Sequence, residues 1–155
     1  MKMLKMILSA LVWAVSRNLI VAANVGESQY PGGKRTVYLD EAVTTKNLLM
    51  KAGTDADHVA ICGASDIPKG FCPDEGAAGD EVELRYLGAA HQETGLGVAS
   101  GAVAADDRLV PATGGKVKTL PATSGTYWIV GKAIKGAADG EPVEMVEFTP
   151  YQVTV

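Results

Sequence analysis

At 155 residues, with a formal charge of −4 and a pI near 5.1, the chain has room for one domain with a real core. Its lysines and arginines are scattered singly, so the basic stripe that nucleic-acid binding needs is missing. Aromatic residues make up only 6% against 18 glycines, which suits thin, tightly turned sheets better than a large core around a deep cleft.

The chain opens on Met1, Lys2, Met3, Leu4 and Lys5, then an apolar run over residues 6–15. A basic start followed by an apolar run is the form of a signal peptide. The run is too short to cross a bilayer, and Arg17 and Asn18 would sit inside any longer span. Lys2, Lys5, Ser9 and Ser16 fall on one narrow helical stripe and leave the rest of that surface apolar. Three readings are open: a retained packing arm, a cleaved signal over residues 1–23, and a helix lying on a membrane surface. The packing arm accounts best for the stripe. Its contact residues would be Leu4, Ile7, Leu8, Leu11, Val12, Trp13 and Val15. Burying even half of them, at about 25 cal/mol per Å², is worth several kcal/mol. Left in water they would form a patch that soluble monomers rarely carry. The expected cover is a sister subunit or a partner protein.

Residues 1–35 are thus arm and linker, and residues 36–155 a β-domain. Tyr30, Pro31, Gly32 and Gly33 punctuate the linker. A short strand is predicted over 36–39, then strands near 47–50 and 58–62, with His58 at a strand end and a turn at Gly53, Thr54 and Asp55. Over 81–87, Val82, Leu84 and Tyr86 alternate with charged residues, which marks a half-buried strand. Residues 88–97 have three glycines and no helical period, and read as an exposed connection or a strand bent by bulges. A strand is expected from Val98, another over 108–111, and a turn at Thr113, Gly114, Gly115 and Lys116. Residues 126–133 are rich in aromatic and β-branched side chains, as a strand is. Residues 142–148 alternate again, Pro150 interrupts, and 151–155 read as an edge or swapped strand. Nothing after residue 23 has a helix pattern.

The chain also repeats itself. With one offset of 61 and no gap, Gly70 falls on Gly131, Ala77 on Ala138, Gly79 on Gly140, Val82 on Val143 and Glu83 on Glu144. Upstream, the same offset puts Leu48 on Leu109 and Gly53 on Gly114. Matched turn glycines and strand residues are what a repeated β-unit would keep. The expected fold is all-β, a small barrel or sandwich built from two related units at about 44–87 and 105–148. The turn glycines Gly79 and Gly140 should have positive φ.

A search for chemistry finds no catalytic, cofactor or metal site. There is no Gly-Lys-Ser/Thr phosphate loop, and Ser124-Gly125 lacks the setting of a nucleophile elbow. His58, Cys62, Cys72 and His91 have no zinc-module spacing, and Asp55 and Asp57 lack the glycine and glutamate of a calcium loop. Cys62 and Cys72 could pair, but one pair gives little evidence of an oxidising compartment, and two buried thiols are the plainer reading. Glu83 and Glu144 should point to solvent.

Residues 97–147 resemble the small capsid decoration, or cement, proteins of tailed bacteriophages. The likeness is carried by Gly101-Ala102-Val103, by Asp107-Arg108-Leu109-Val110-Pro111 before a Gly-Gly turn, by the aromatic strand into Val130-Gly131-Lys132-Ala133, and by the run from Gly136 to Val146. It covers about a third of the chain, and the first unit echoes it. The long apolar arm departs from it, because such proteins usually begin directly with short polar strands. The resemblance implies a non-enzymatic β-domain, commonly a homotrimer, on the outside of the virion. There it would bind the major capsid protein and stabilise the head lattice, with neither nucleic acid nor membrane as a partner. The alternative is a secreted or periplasmic β-domain that binds a carbohydrate or protein, with residues 1–23 as its signal.

Overall fold

A computed structural model describes residues 33–88 and 94–155. The seven arm residues, the signal reading over 1–23 and His91 lie outside the described residues. The described residues form ten strands and no α-helix: β1 (Lys34–Leu39), β2 (Leu48–Ala52), β3 (His58–Ile61), β4 (Gly70–Cys72), β5 (Glu81–Tyr86), β6 (Thr94–Val98), β7 (Arg108–Pro111), β8 (Val117–Thr119), β9 (Thr126–Ala133) and β10 (Pro142–Thr154). A single 3-10 turn, Thr113–Gly115, joins β7 to β8. His58 begins its strand, and the glycine-rich connection contains one: Thr94–Val98 pairs with β10.

The first five strands close into a barrel in the order β1-β3-β2-β4-β5. The last five form a sheet in the order β6-β10-β9-β7-β8, and a parallel bridge from Ala99 to Val117 links its two ends. Replacing each strand of the barrel by the strand five places later reproduces that cyclic order. The ladders agree in detail. Gly70 faces Met50 as Gly131 faces Leu109, and Val37 faces Val82 as Gly97 faces Val143. The bridge between Val43 and Gly76 recurs between Val103 and Ala137. Only two non-glycine residues have positive φ among the described residues, Asn47 (61°) and Asp106 (70°). They occupy the same place in the two units, donating to the carbonyls of Cys72 (2.7 Å) and Ala133 (2.9 Å). Asn and Asp are the side chains that tolerate this conformation best.

The ladders also correct one part of the sequence matching. The offset of 61 holds for β4 and β5 against β9 and β10, but the register of β2 puts Met50, not Leu48, on Leu109. Gly53 then corresponds to Ala112, not Gly114. Two length differences make up the slip. The hairpin closes from Gly53 N to His58 O (3.0 Å) in the first unit but from Ala112 N to Lys116 O (2.8 Å), one residue sooner, in the second. The connection that follows is three residues longer in the second unit, from Thr119 to Gly131 against Ile61 to Gly70.

Alternation along the strands builds two cores. Val37, Leu39, Leu48, Met50, Val59 and Leu84 fill the inside of the barrel. Leu49 and Phe71, on the other faces of β2 and β4, are equally buried against Leu109, Val117, Val130, Val143 and Met145 of the second unit. Strands buried on both faces lose their polar alternation, and β2 and β4 read as apolar runs for this reason. The 3-10 turn helps the docking: Gly115 N donates to Cys62 O at 2.8 Å, and a Cβ on Gly115 would come within 2.9 Å of Leu49 O. Arg85 and Glu147 join the units with a 2.9 Å ion pair, only 20% and 9% exposed.

Candidate interaction surface

The repeat shows where the strands of the second unit run on beyond those of the first. In register, β4 corresponds to residues 131–133 of β9, and β5 corresponds to residues 142–147 of β10. Both later strands are much longer, with eight residues against three and thirteen against six. The surplus, residues 126–130 and 148–154, has no strand counterpart in the first unit. After an irregularity between Glu147 and Tyr151 these residues pair with each other: Tyr151 with Ile129, Gln152 with Trp128, Val153 with Tyr127, and Thr154 with Thr126. Pro150 lies in that irregularity, where a missing N–H costs the ladder nothing.

The result is a two-stranded ribbon running on beyond the sheet. Gly125 and Val155 exchange both backbone bonds, N to O at 3.1 and 3.0 Å. In an antiparallel ladder the hydrogen-bonded pairs alternate, so 127/153 and 129/151 are bonded pairs and 126/154 and 128/152 are not. The N–H and C=O groups of Thr126 and Trp128 therefore face outward from one edge, and those of Gln152 and Thr154 from the other. Among the described residues, no other strand pairs with either edge at these positions.

Its composition is unusual for exposed edges. Residues 119–131 and 148–155 contain no Asp, Glu, Lys or Arg. Natural edge strands are normally guarded by charge, and a lone two-stranded ribbon is marginal in water. Tyr127, Trp128, Phe148 and Tyr151 all lie here, and none of them is fully buried. Phe148 and Tyr151 hold their rings 6.4 Å apart, and the Tyr127 hydroxyl donates to Thr123 O at 3.1 Å. Such aromatics, apolar in body and polar at one end, are the side chains that interfaces favour. On the outer face of the same sheet, Leu96, Ile134 and Val146 are exposed around Glu144.

His58, Asp55 and Asp57, singled out by the sequence, sit elsewhere, on the first barrel. His58 Nδ1 is 2.7 Å from Asp55 Oδ1, and its ring lies 5.4 Å from that of Tyr38. The Tyr38 hydroxyl donates to Glu81 Oε1 at 2.9 Å, and Arg35 pairs with the Asp57 carboxylate. These are exposed ion pairs on β1, the β2–β3 turn and the ends of β3 and β5. The Asp55 carboxylate raises the His58 pKa above 6.5, while partial desolvation opposes it. A raised folded-state pKa gives stability that is present below 6.5 and lost as pH rises through the folded value. An NMR titration of the His58 ring should therefore place its midpoint above 6.5, and Asp55→Asn should lower it.

Cys62 and Cys72 are both buried and free. Burial pushes the Cys62 thiol up to about 12, and raises Cys72 as well, so neither is a ready nucleophile. Glu144 is exposed and Glu83 pairs with Lys34 at 3.0 Å, so the two repeat-equivalent carboxylates face outward. Among the described residues, no group of three His, Cys, Asp or Glu side chains is placed to hold a metal ion.

No family model and no curated protein matches this chain. Among solved structures, it is similar in fold to the N base of the head fibre protein gp8.5 of bacteriophage phi29, with a TM-score of 0.59 and 17% identity. The superposition takes in 74% of this chain and 92% of that one, more than either five-stranded unit alone could supply. The chain therefore shares the fold of a phage head fibre base.

Proposed function

We propose that this chain is a structural protein of a phage virion. It sits on the outside of the head, binds the major capsid protein and stabilises the lattice as a decoration protein, by burying surface and without catalysis. The observation that carries this reading is the fold likeness to a head fibre base across nearly the whole of that domain. The resemblance of residues 97–147 to capsid decoration proteins points the same way from the sequence side. The uncharged ribbon supplies what a binding role needs, a surface with unspent backbone hydrogen bonds and aromatic side chains. The working assembly is a homotrimer, and residues 1–35 contribute to docking.

Particles assembled with and without the chain test this reading directly. Cryo-electron microscopy should reveal extra density on the outer head surface only when the chain is present, and heads that lack it should rupture at a lower temperature. Heads with identical density and identical thermal rupture would overturn the proposal. N-terminal sequencing of native material that begins near Ala23 or Asn24 would favour the secreted alternative.

A further inference from the structure

We propose that the β9–β10 ribbon is the element through which copies of this chain assemble, with the β9 edge of one copy pairing on the β10 edge of the next. The number three rests on the homotrimer proposed above. The edge pairing rests on the ribbon itself.

The ribbon has two open edges of different identity, Thr126 and Trp128 on one side and Gln152 and Thr154 on the other. A two-fold contact would pair like with like and leave one edge of each copy open. A head-to-tail ring uses both edges of every copy and leaves none. Its strands would run β9, β10, β9, β10 with every neighbour antiparallel, so the ladder already present in one copy simply continues. Two copies would have to bend four strands into a ring, too tight to hold side chains inside, whereas three copies give six.

Charge selects the occupant. Each copy carries a net charge of −4, so copies repel one another over most of their surface. The ribbon is the part where no like charges meet. An unlike partner is normally specified by complementary charge, and these edges offer none to read. Tyr127, Ile129, Tyr151 and Val153 share one face of the ribbon, while Thr126, Trp128, Gln152 and Thr154 share the other. On the first face Ile129 is already fully buried within its own copy, so Tyr127, Tyr151 and Val153 are the side chains left there to meet neighbouring copies.

The test uses the full chain with two substitutions at Gln152, whose N–H is not used inside the ribbon. Gln152→Pro removes an outward donor, and Gln152→Lys places a charge on the edge while keeping that donor. Sedimentation equilibrium on the unsubstituted chain should give three times the 16.1 kDa chain mass. Both variants should need about 100-fold higher concentration to assemble, with far-ultraviolet circular dichroism unchanged. In the assembled wild type, the amides of Trp128 and Gln152 should resist hydrogen exchange although neither has a partner within its own ribbon. A wild-type monomer at 100-fold the concentration used for particle decoration (about 100 µM) overturns the proposal. So does a two-fold dimer. A trimer in which those amides exchange freely and both variants assemble normally overturns the edge pairing and leaves the homotrimer standing. Particles without the chain overturn the virion reading and leave the ribbon pairing untouched.

Discussion

Replacing Phe71 with alanine is expected to lower the unfolding free energy by about 3–5 kcal/mol, and to do so for both units at once. Phe71 is 1% exposed, and its ring sits on the outer face of β4. It packs in the cluster that holds Leu49 and Leu87 of the first unit with Val117, Val130 and Met145 of the second. A Cβ placed on Gly97 would fall 3.3 Å from its ring, so the second unit has closed on the aromatic side chain as tightly as glycine allows. No smaller side chain fills that volume, and the cavity would open between the units. Because the apolar face of β2 and β4 is covered only by docking, neither unit should be stable without the other. Urea unfolding of a Trp13→Phe background would be followed by circular dichroism and by Trp128 fluorescence, the latter reporting on the second unit. Both signals should shift together to lower urea with an unchanged slope. A Trp128 transition that stays in place while the dichroism splits would mean that the units fold independently.

The sequence carries the all-β class, the repeat and the turn glycines because each leaves a mark on residue type. Gly79 and Gly140 were matched by offset alone, and both adopt positive φ, 88° and 80°. The strand Thr94–Val98 left no such mark, since Gly95 and Gly97 hide its alternation. Their reason is spatial: a Cβ on Gly95 would collide with the Glu147 carboxylate, and one on Gly97 would come within 2.7 Å of the Met145 methyl. The need for empty space comes from a strand some fifty residues away (Gly95 to Met145) and cannot be read locally. The two-residue slip at β2 has a similar origin. A gapless comparison has no means of seeing that the second unit's hairpin is one residue shorter and the connection after it three residues longer. The interaction surface was legible only as two strands. Residues 126–133 and 151–155 announce themselves by composition, but that 126–130 and 148–154 have no strand counterpart in the first unit becomes visible only when β9 and β10 are laid on β4 and β5. The arm, where the apolar count pointed first, lies outside the described residues.

The repeat glycines should respond to substitution in two distinct ways, and the larger effect belongs to Gly70. A Cβ there would stand 2.2 Å from the carbonyl oxygen of Arg85 and 2.9 Å from its carbonyl carbon. These are backbone atoms of the neighbouring strand, so no side chain can swing aside. Its counterpart Gly131 meets the carbonyl oxygen of Val146 at 2.6 Å, and Arg85 and Val146 are themselves equivalent in the repeat. The same steric demand has been kept in both units. At Gly79 and Gly140, by contrast, nothing lies within 4 Å and only the backbone angle matters. Gly70→Ala must spread β4 from β5 and is expected to cost about 3 kcal/mol, at the upper end of what overpacking usually costs. Gly79→Ala should cost about 1 kcal/mol through its left-handed backbone, and Gly79→Asn less, because asparagine tolerates that region. Gly70→Asn should recover nothing, since its Cβ meets the same carbonyl. Equilibrium denaturation of the four variants separates the two causes. If Gly70→Ala proves no more costly than Gly79→Ala, close approach of β4 and β5 is not what keeps glycine at this position.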